Sequence, residues 1–116
     1  MDLSRKVAEA NIEIIEPVGY HDFLKLVSKT RSVWTDSGGI QEETTYLGVP
    51  CYTVRENTER PETVAFGSNV LVKMSEERSF ESYLEDRGDN PKKENIELWD
   101  GETSVRISKI LQSARI

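Results

Sequence analysis

Residues 35–43 read Thr-Asp-Ser-Gly-Gly-Ile-Gln-Glu-Glu, and their order suits phosphate chemistry. Val33-Trp34-Thr35 has β character and leads into two adjacent glycines, after which a helical stretch runs to Leu47-Gly48. Gly38 and Gly39 lack a Cβ, so the backbone there is free to bend sharply and a ligand can approach it closely. The first amides of the following helix carry unsatisfied N–H groups and the positive end of the helix dipole, a ready seat for a phosphate. Glu43 lies about one and a half turns beyond Ser37 at roughly 3.6 residues per turn. Its carboxylate would repel a phosphate but accept hydrogen bonds from sugar hydroxyls. The stretch therefore suggests a nucleotide, with phosphate at Ser37, Gly38 and Gly39 and ribose at Glu43. The same nine residues also fit a helix capped by Asp36 or Ser37, with glycines that only make the turn.

The elements that must position these groups follow from pattern. Leu3, Val7 and Ala10 are helically spaced, and Ile12, Ile14 and Ile15 form a short β-rich run stopped by Pro17 and Gly19. Tyr20, Phe23, Leu24 and Val27 recur as one face of an amphipathic helix, and on periodicity alone Phe23 is a core residue. Residues 31–35 form the second strand, 40–47 the helix that Gly48 ends, 50–54 the third strand and 68–72 the fourth. Pro61 suits the first turn of a helix, which puts Arg60 just before a helix start and just after a strand. In open α/β sheets that edge is where ligands bind, so Arg60 reads as a phosphate contact against the plainer reading of a solvated arginine. Glu56, Glu59 and Glu62 are then surface residues or its orienting partners. Phe80, Tyr83 and Leu84 mark a helix within 75–87, residues 86–93 a polar loop, and Ile107, Ile110, Leu111 and Ala114 a closing amphipathic helix. Strands alternating with helices indicate an α/β fold, a parallel sheet with helices on both faces.

Composition bounds the rest. The 116 residues allow one domain at most, and the net charge of −6 makes the chain a poor general binder of nucleic acid. Any phosphate must be held by local features. No apolar run approaches the ~20 residues of a membrane span, and the N-terminus lacks a signal-peptide pattern, so no membrane association and a cytoplasmic location are expected. Cys51, the lone cysteine, falls in a strand and reads as a small core residue; His21, the only histidine, excludes a multi-histidine metal site and reads as a surface residue. No cofactor and no metal are expected.

Residues 35–43 are followed by Leu47-Gly48-Val49-Pro50, by Arg55-Glu-Asn-Thr-Glu-Arg-Pro-Glu62, and by Gly67 and Asn69-Val-Leu-Val72. In this order and spacing the segments closely resemble the non-hydrolysing UDP-N-acetylglucosamine 2-epimerases. The likeness covers most of the chain but part of the family's length. It implies that the whole chain, 1–116, is a partial UDP-binding Rossmann-like domain, the later part of the C-terminal domain of a two-domain GT-B-like fold. It further implies that Ser37, Gly38 and Gly39 lie around the diphosphate, Glu43 on the ribose, Arg60 facing the phosphates and Phe23 against the uracil. The chain departs from relatives at Thr44-Thr45, where they carry Ala-Pro, and at Trp99-Asp100-Gly101, where they carry Gly-Asp-Gly.

The family's reaction eliminates UDP to a glucal and re-adds it with inversion at C2. That needs a base for the C2 proton and stabilisation of the departing diphosphate. By resemblance the acids and histidine for the first task lie in segments this chain does not contain, so no catalytic residue is assigned. The chain is expected to bind UDP or a UDP-sugar as part of an epimerase whose N-terminal domain comes from elsewhere, in trans if the gene is split or truncated. The donor-binding half of a UDP-sugar glycosyltransferase and a non-catalytic nucleotide-binding remnant are the other two classes. By resemblance residues 12–15 are the family's third strand, which has lost its neighbours. It is expected to pair with residues 32–35 in a closed four-stranded sheet, the alternative being a homodimer across the open edges.

Overall fold

The computed structural model describes residues 2–87 and 96–114. Among them are helices α1 (Leu3–Glu9), α2 (Tyr20–Lys29), α3 (Gly38–Leu47), α4 (Pro61–Ala65), α5 (Phe80–Arg87) and α6 (Thr103–Ser113), and strands β1 (Val33–Thr35), β2 (Cys51–Thr53) and β3 (Asn69–Leu71). The polar loop expected over 86–93 falls outside the described residues from Gly88 onward.

The strands pair in parallel in the order β1-β2-β3, with Thr35 opposite Thr53 and Thr53 opposite Leu71. Side chains alternate across a strand, so Cys51, Thr53 and Asn69 share one face and Trp34, Tyr52 and Val70 the other. The first face meets α3 and α4: Asn69 donates to Gln41 and to Thr63. The second meets α5, where Tyr83 joins Tyr52 and Val72 in the apolar core, and Phe80 meets the edge of Trp34, itself stacked on Tyr52 at 4.5 Å. Helices thus cover both faces, as the alternation of elements implies.

Local chemistry sets the ends. The Asp2 carboxylate accepts from the Ser4 amide and starts α1. Gly48 takes the left-handed conformation, φ 70°, that ends α3. Pro61 opens α4. Gly67 is required by space: a Cβ there would lie 2.4 Å from Thr45 Cγ2 and 2.7 Å from the Thr63 carbonyl. Its absence lets α3 and α4 close on the loop before β3, where the Ser68 amide donates to Thr45 Oγ1.

The expected four-stranded sheet does not form. Among the described residues, 12–15 make no ladder with 32–35, the sheet has three strands, and Ile14 is 78% exposed. The reason lies in the crossover. A parallel connection from 12–15 to β1 requires α2 to lie on the sheet, whereas α2 packs against α3. β1 therefore keeps an open edge. Likewise α6 is a helix as expected, but none of its residues is buried.

Candidate functional site

The glycine turn lies between β1 and α3, at the C-terminal edge of the sheet. Ser37 is the N-cap residue of α3, in extended conformation, yet its side chain makes no capping bond, and no acid stands in the first helical turn. Its own amide donates to Thr35 Oγ1 at 3.1 Å. The Ser37 side chain therefore leaves the first amides of α3 without a cap, beside the Glu59 carboxylate at Gly38. Neither Gly38 nor Gly39 has a positive φ. Their value is room, which differs between them. A Cβ on Gly39 would meet nothing within 4 Å, whereas one on Gly38 would fall 2.3 Å from the Glu59 carboxylate. Glu59 is held there by Arg55, at 2.8 Å. Its pKa is lowered, first by a bond from its own backbone amide, with the charges of Arg55 and then Arg60 adding to the effect against desolvation.

Glu43 sits on α3 facing α2. The Glu43 carboxylate faces the Tyr20 hydroxyl, and its pull on the hydroxyl proton, then its negative charge, then desolvation raise the tyrosine pKa. Tyr20 and Glu43 line a cavity of about 800 Å³ together with Leu24, Tyr46 and Trp99, within the size range of small-ligand sites. Phe23 is half-buried one turn further along α2, and neither it nor Ser37, Gly38, Gly39 or Arg60 is among the lining residues.

Arg60 is the N-cap residue of α4, and its side chain reaches back to α3. Nε stands 2.7 Å from Glu42 Oε1, an ion pair without the alignment of a hydrogen bond, and Nη1 donates weakly to the Glu59 carbonyl at 3.5 Å. Both partners of the pair are about two-fifths exposed, so it orients the guanidinium more than it stabilises the fold. The orienting carboxylate is thus Glu42, and Glu56, Glu59 and the exposed Glu62 take the other expected part, as surface residues. Glu56 accepts from the Ser75 amide and hydroxyl, and Glu59 pairs with Arg55. Ser37, Gly38, Gly39, Glu43 and Arg60 are brought together around α3, with Phe23 on the neighbouring α2.

The periodicity of apolar residues could not reveal the polar layer beneath. Gln41, Thr53, Thr63 and Asn69 are all buried and bonded to one another or to the same partners. The only trace in the sequence is that Gln41 stands four residues after Ser37, the spacing at which its amide meets the Ser37 carbonyl.

Comparison with known proteins bears on the site. The family model described as UDP-N-acetylglucosamine 2-epimerase matches residues 2–112. A UDP-N-acetylglucosamine 2-epimerase of Methanocaldococcus jannaschii is 57% identical over 58% of this chain and 18% of its own length. A protein of Methanococcus maripaludis named as a homologue of that enzyme is 39% identical over 89% of this chain and 29% of its own length. The crystal structure of the M. jannaschii enzyme in complex with UDP-GlcNAc and UDP superposes with a TM-score of 0.73 at 41% identity, over 95% of this chain and 30% of that one. The chain thus spans less than a third of these proteins. No helix among the described residues is long and apolar enough to cross a membrane. With the family model matched over residues 2–112 and the solved enzyme superposing over 95% of the chain, the chain belongs to the UDP-N-acetylglucosamine 2-epimerase family.

Proposed function

We propose that this chain is the UDP-binding part of a UDP-N-acetylglucosamine 2-epimerase acting in the cytoplasm. The observation that carries the reading is the N-terminus of α3 at Ser37, without a side-chain cap, with Arg60 drawn onto the same helix through Glu42 and Glu43 next along it. The amides of Gly38 and Gly39 and the Arg60 guanidinium offer donors to a diphosphate, and Glu43 offers an acceptor to ribose hydroxyls. Phe23 is assigned to the base by the family resemblance alone, since it lies outside the cavity that Tyr20 and Glu43 line. In the reaction these groups stabilise the leaving UDP, the second of the two tasks of an elimination. The proton at C2 is handled by groups from the rest of a two-domain enzyme, joined to this chain or supplied by a partner.

Titration calorimetry of the purified chain with UDP and with UDP-N-acetylglucosamine tests this. Saturable binding of both, lost in Arg60→Ala, is the expected result. Absence of heat with either ligand, confirmed by unchanged NMR spectra, would refute the reading.

A further inference from the structure

The turn and Arg60 come from different elements, and one buried side chain joins them. Gln41 is 0% exposed. Its Nε2 donates to the Ser37 carbonyl at 3.2 Å, the N-cap position of α3. Its Oε1 accepts from Thr58 Oγ1 at 2.6 Å and from Asn69 Nδ2 at 2.9 Å. Thr58 Oγ1 in turn accepts the Arg60 amide at 2.9 Å. Asn69 Nδ2 also donates to Thr63 Oγ1 at 3.0 Å, which donates to the Arg60 carbonyl at 2.7 Å. Asn69 is itself fixed to the sheet, because its Oδ1 accepts from Thr53 Oγ1 at 2.6 Å.

Donor directions run consistently through the whole set. The Thr58 hydroxyl receives the Arg60 N–H, so its own proton goes to Gln41, and that orients the Gln41 amide with Nε2 toward Ser37. Both backbone polar groups of Arg60 are thereby tied, each through one hydroxyl, to the amides of Gln41 and Asn69. An apolar residue at 41 would leave the Ser37 carbonyl, Thr58 and Asn69 without these bonds and that geometry unset. Satisfied buried networks of this kind rigidify what they touch.

We propose that Gln41, clamped by Thr58 and Asn69, is the positioning residue of the diphosphate site: it sets the spacing between the Ser37 turn and Arg60. The inference rests on the nucleotide reading above. It concerns the phosphate end alone, since Glu43 and Tyr20, at the ribose end, make no bond to the network.

The test compares UDP with uridine on the 116-residue chain, by NMR titration, for the native chain, Gln41→Met, Thr58→Val and the control Thr44→Val. Thr44 is equally buried, but its hydroxyl bonds only carbonyls of its own helix, at Ile40 and Gln41. In Gln41→Met and Thr58→Val the dissociation constant for UDP rises about tenfold, the scale of one misplaced charge-assisted bond, while that for uridine stays within about twofold. Thr44→Val leaves the ratio of the two affinities unchanged. If Gln41→Met fails to fold, the half-buried Thr58→Val decides alone. An unchanged UDP-to-uridine ratio in Thr58→Val, or the same fall in Thr44→Val, overturns the proposal, since a merely structural role moves both ligands together. A native chain that binds neither ligand refutes the nucleotide reading instead, and is recognised before any variant is measured.

Discussion

Gly67→Ala tests the packing that brings α4 and the loop carrying Arg60 onto α3. The added methyl would sit 2.4 Å from Thr45 Cγ2, 2.6 Å from Thr45 Oγ1 and 2.7 Å from the Thr63 carbonyl. The first two atoms belong to a short, buried, β-branched side chain with no flexible end, and the third to backbone. Overpacking of this kind costs about 1–3 kcal/mol. Moving Thr45 aside also lengthens the 3.3 Å bond from the Ser68 amide, worth about 1 kcal/mol. Against this, alanine restricts the unfolded chain and returns about 0.4–1 kcal/mol. The balance is a loss of about 1–3 kcal/mol, read as a lower urea midpoint at unchanged slope. In a double-mutant cycle Thr45→Ala should recover part of the loss, because it removes two of the three clashing atoms. A Gly67→Ala midpoint equal to or above that of the native chain would show that the close approach does not exist in solution.

Glu43→Gln should weaken UDP binding by about 1–2 kcal/mol, the scale of one charge-assisted hydrogen bond; equal affinity by calorimetry removes the ribose assignment. The chain alone should form no N-acetylmannosamine nucleotide from UDP-N-acetylglucosamine, and mass-spectrometric detection of that product above background would contradict the placing of the proton-transfer groups elsewhere. Two carboxylates should mark the acid limb of stability. Glu56 is lowered first by its bond from the Ser75 side chain, and Asp100 first by its bond from Arg106. A depressed folded-state pKa gives stability that is present at neutral pH and disappears as the pH falls through that pKa. Glu56→Gln and Asp100→Asn should therefore lower stability at neutral pH while leaving it nearly unchanged in strong acid, so their midpoints converge with the native chain's as pH falls.

By itself the sequence determined the elements from Tyr20 onward and their order, though not the strand expected over 12–15. Pro61 and Gly48 carry their backbone consequences wherever they stand, and the helical spacing of Tyr20, Phe23, Leu24 and Val27 sets one face whatever that face meets. The glycine turn, the helix after it and the place of Arg60 before α4 were legible for the same reason: each rests on residues close in the chain. Pairing and partners were decided only by the tertiary structure. Ile12, Ile14 and Ile15 have strand propensity, but a strand needs a neighbour, and once α2 packs on α3 none is within reach. Arg60 found Glu42, eighteen residues back, in place of the glutamates beside it, because α4 docks on α3. Gln41 and Asn69 read as ordinary polar positions. Only the closing of α3 and α4 over β2 and β3, which the missing side chain of Gly67 allows, removes them from water and obliges each to find its bonds in the other.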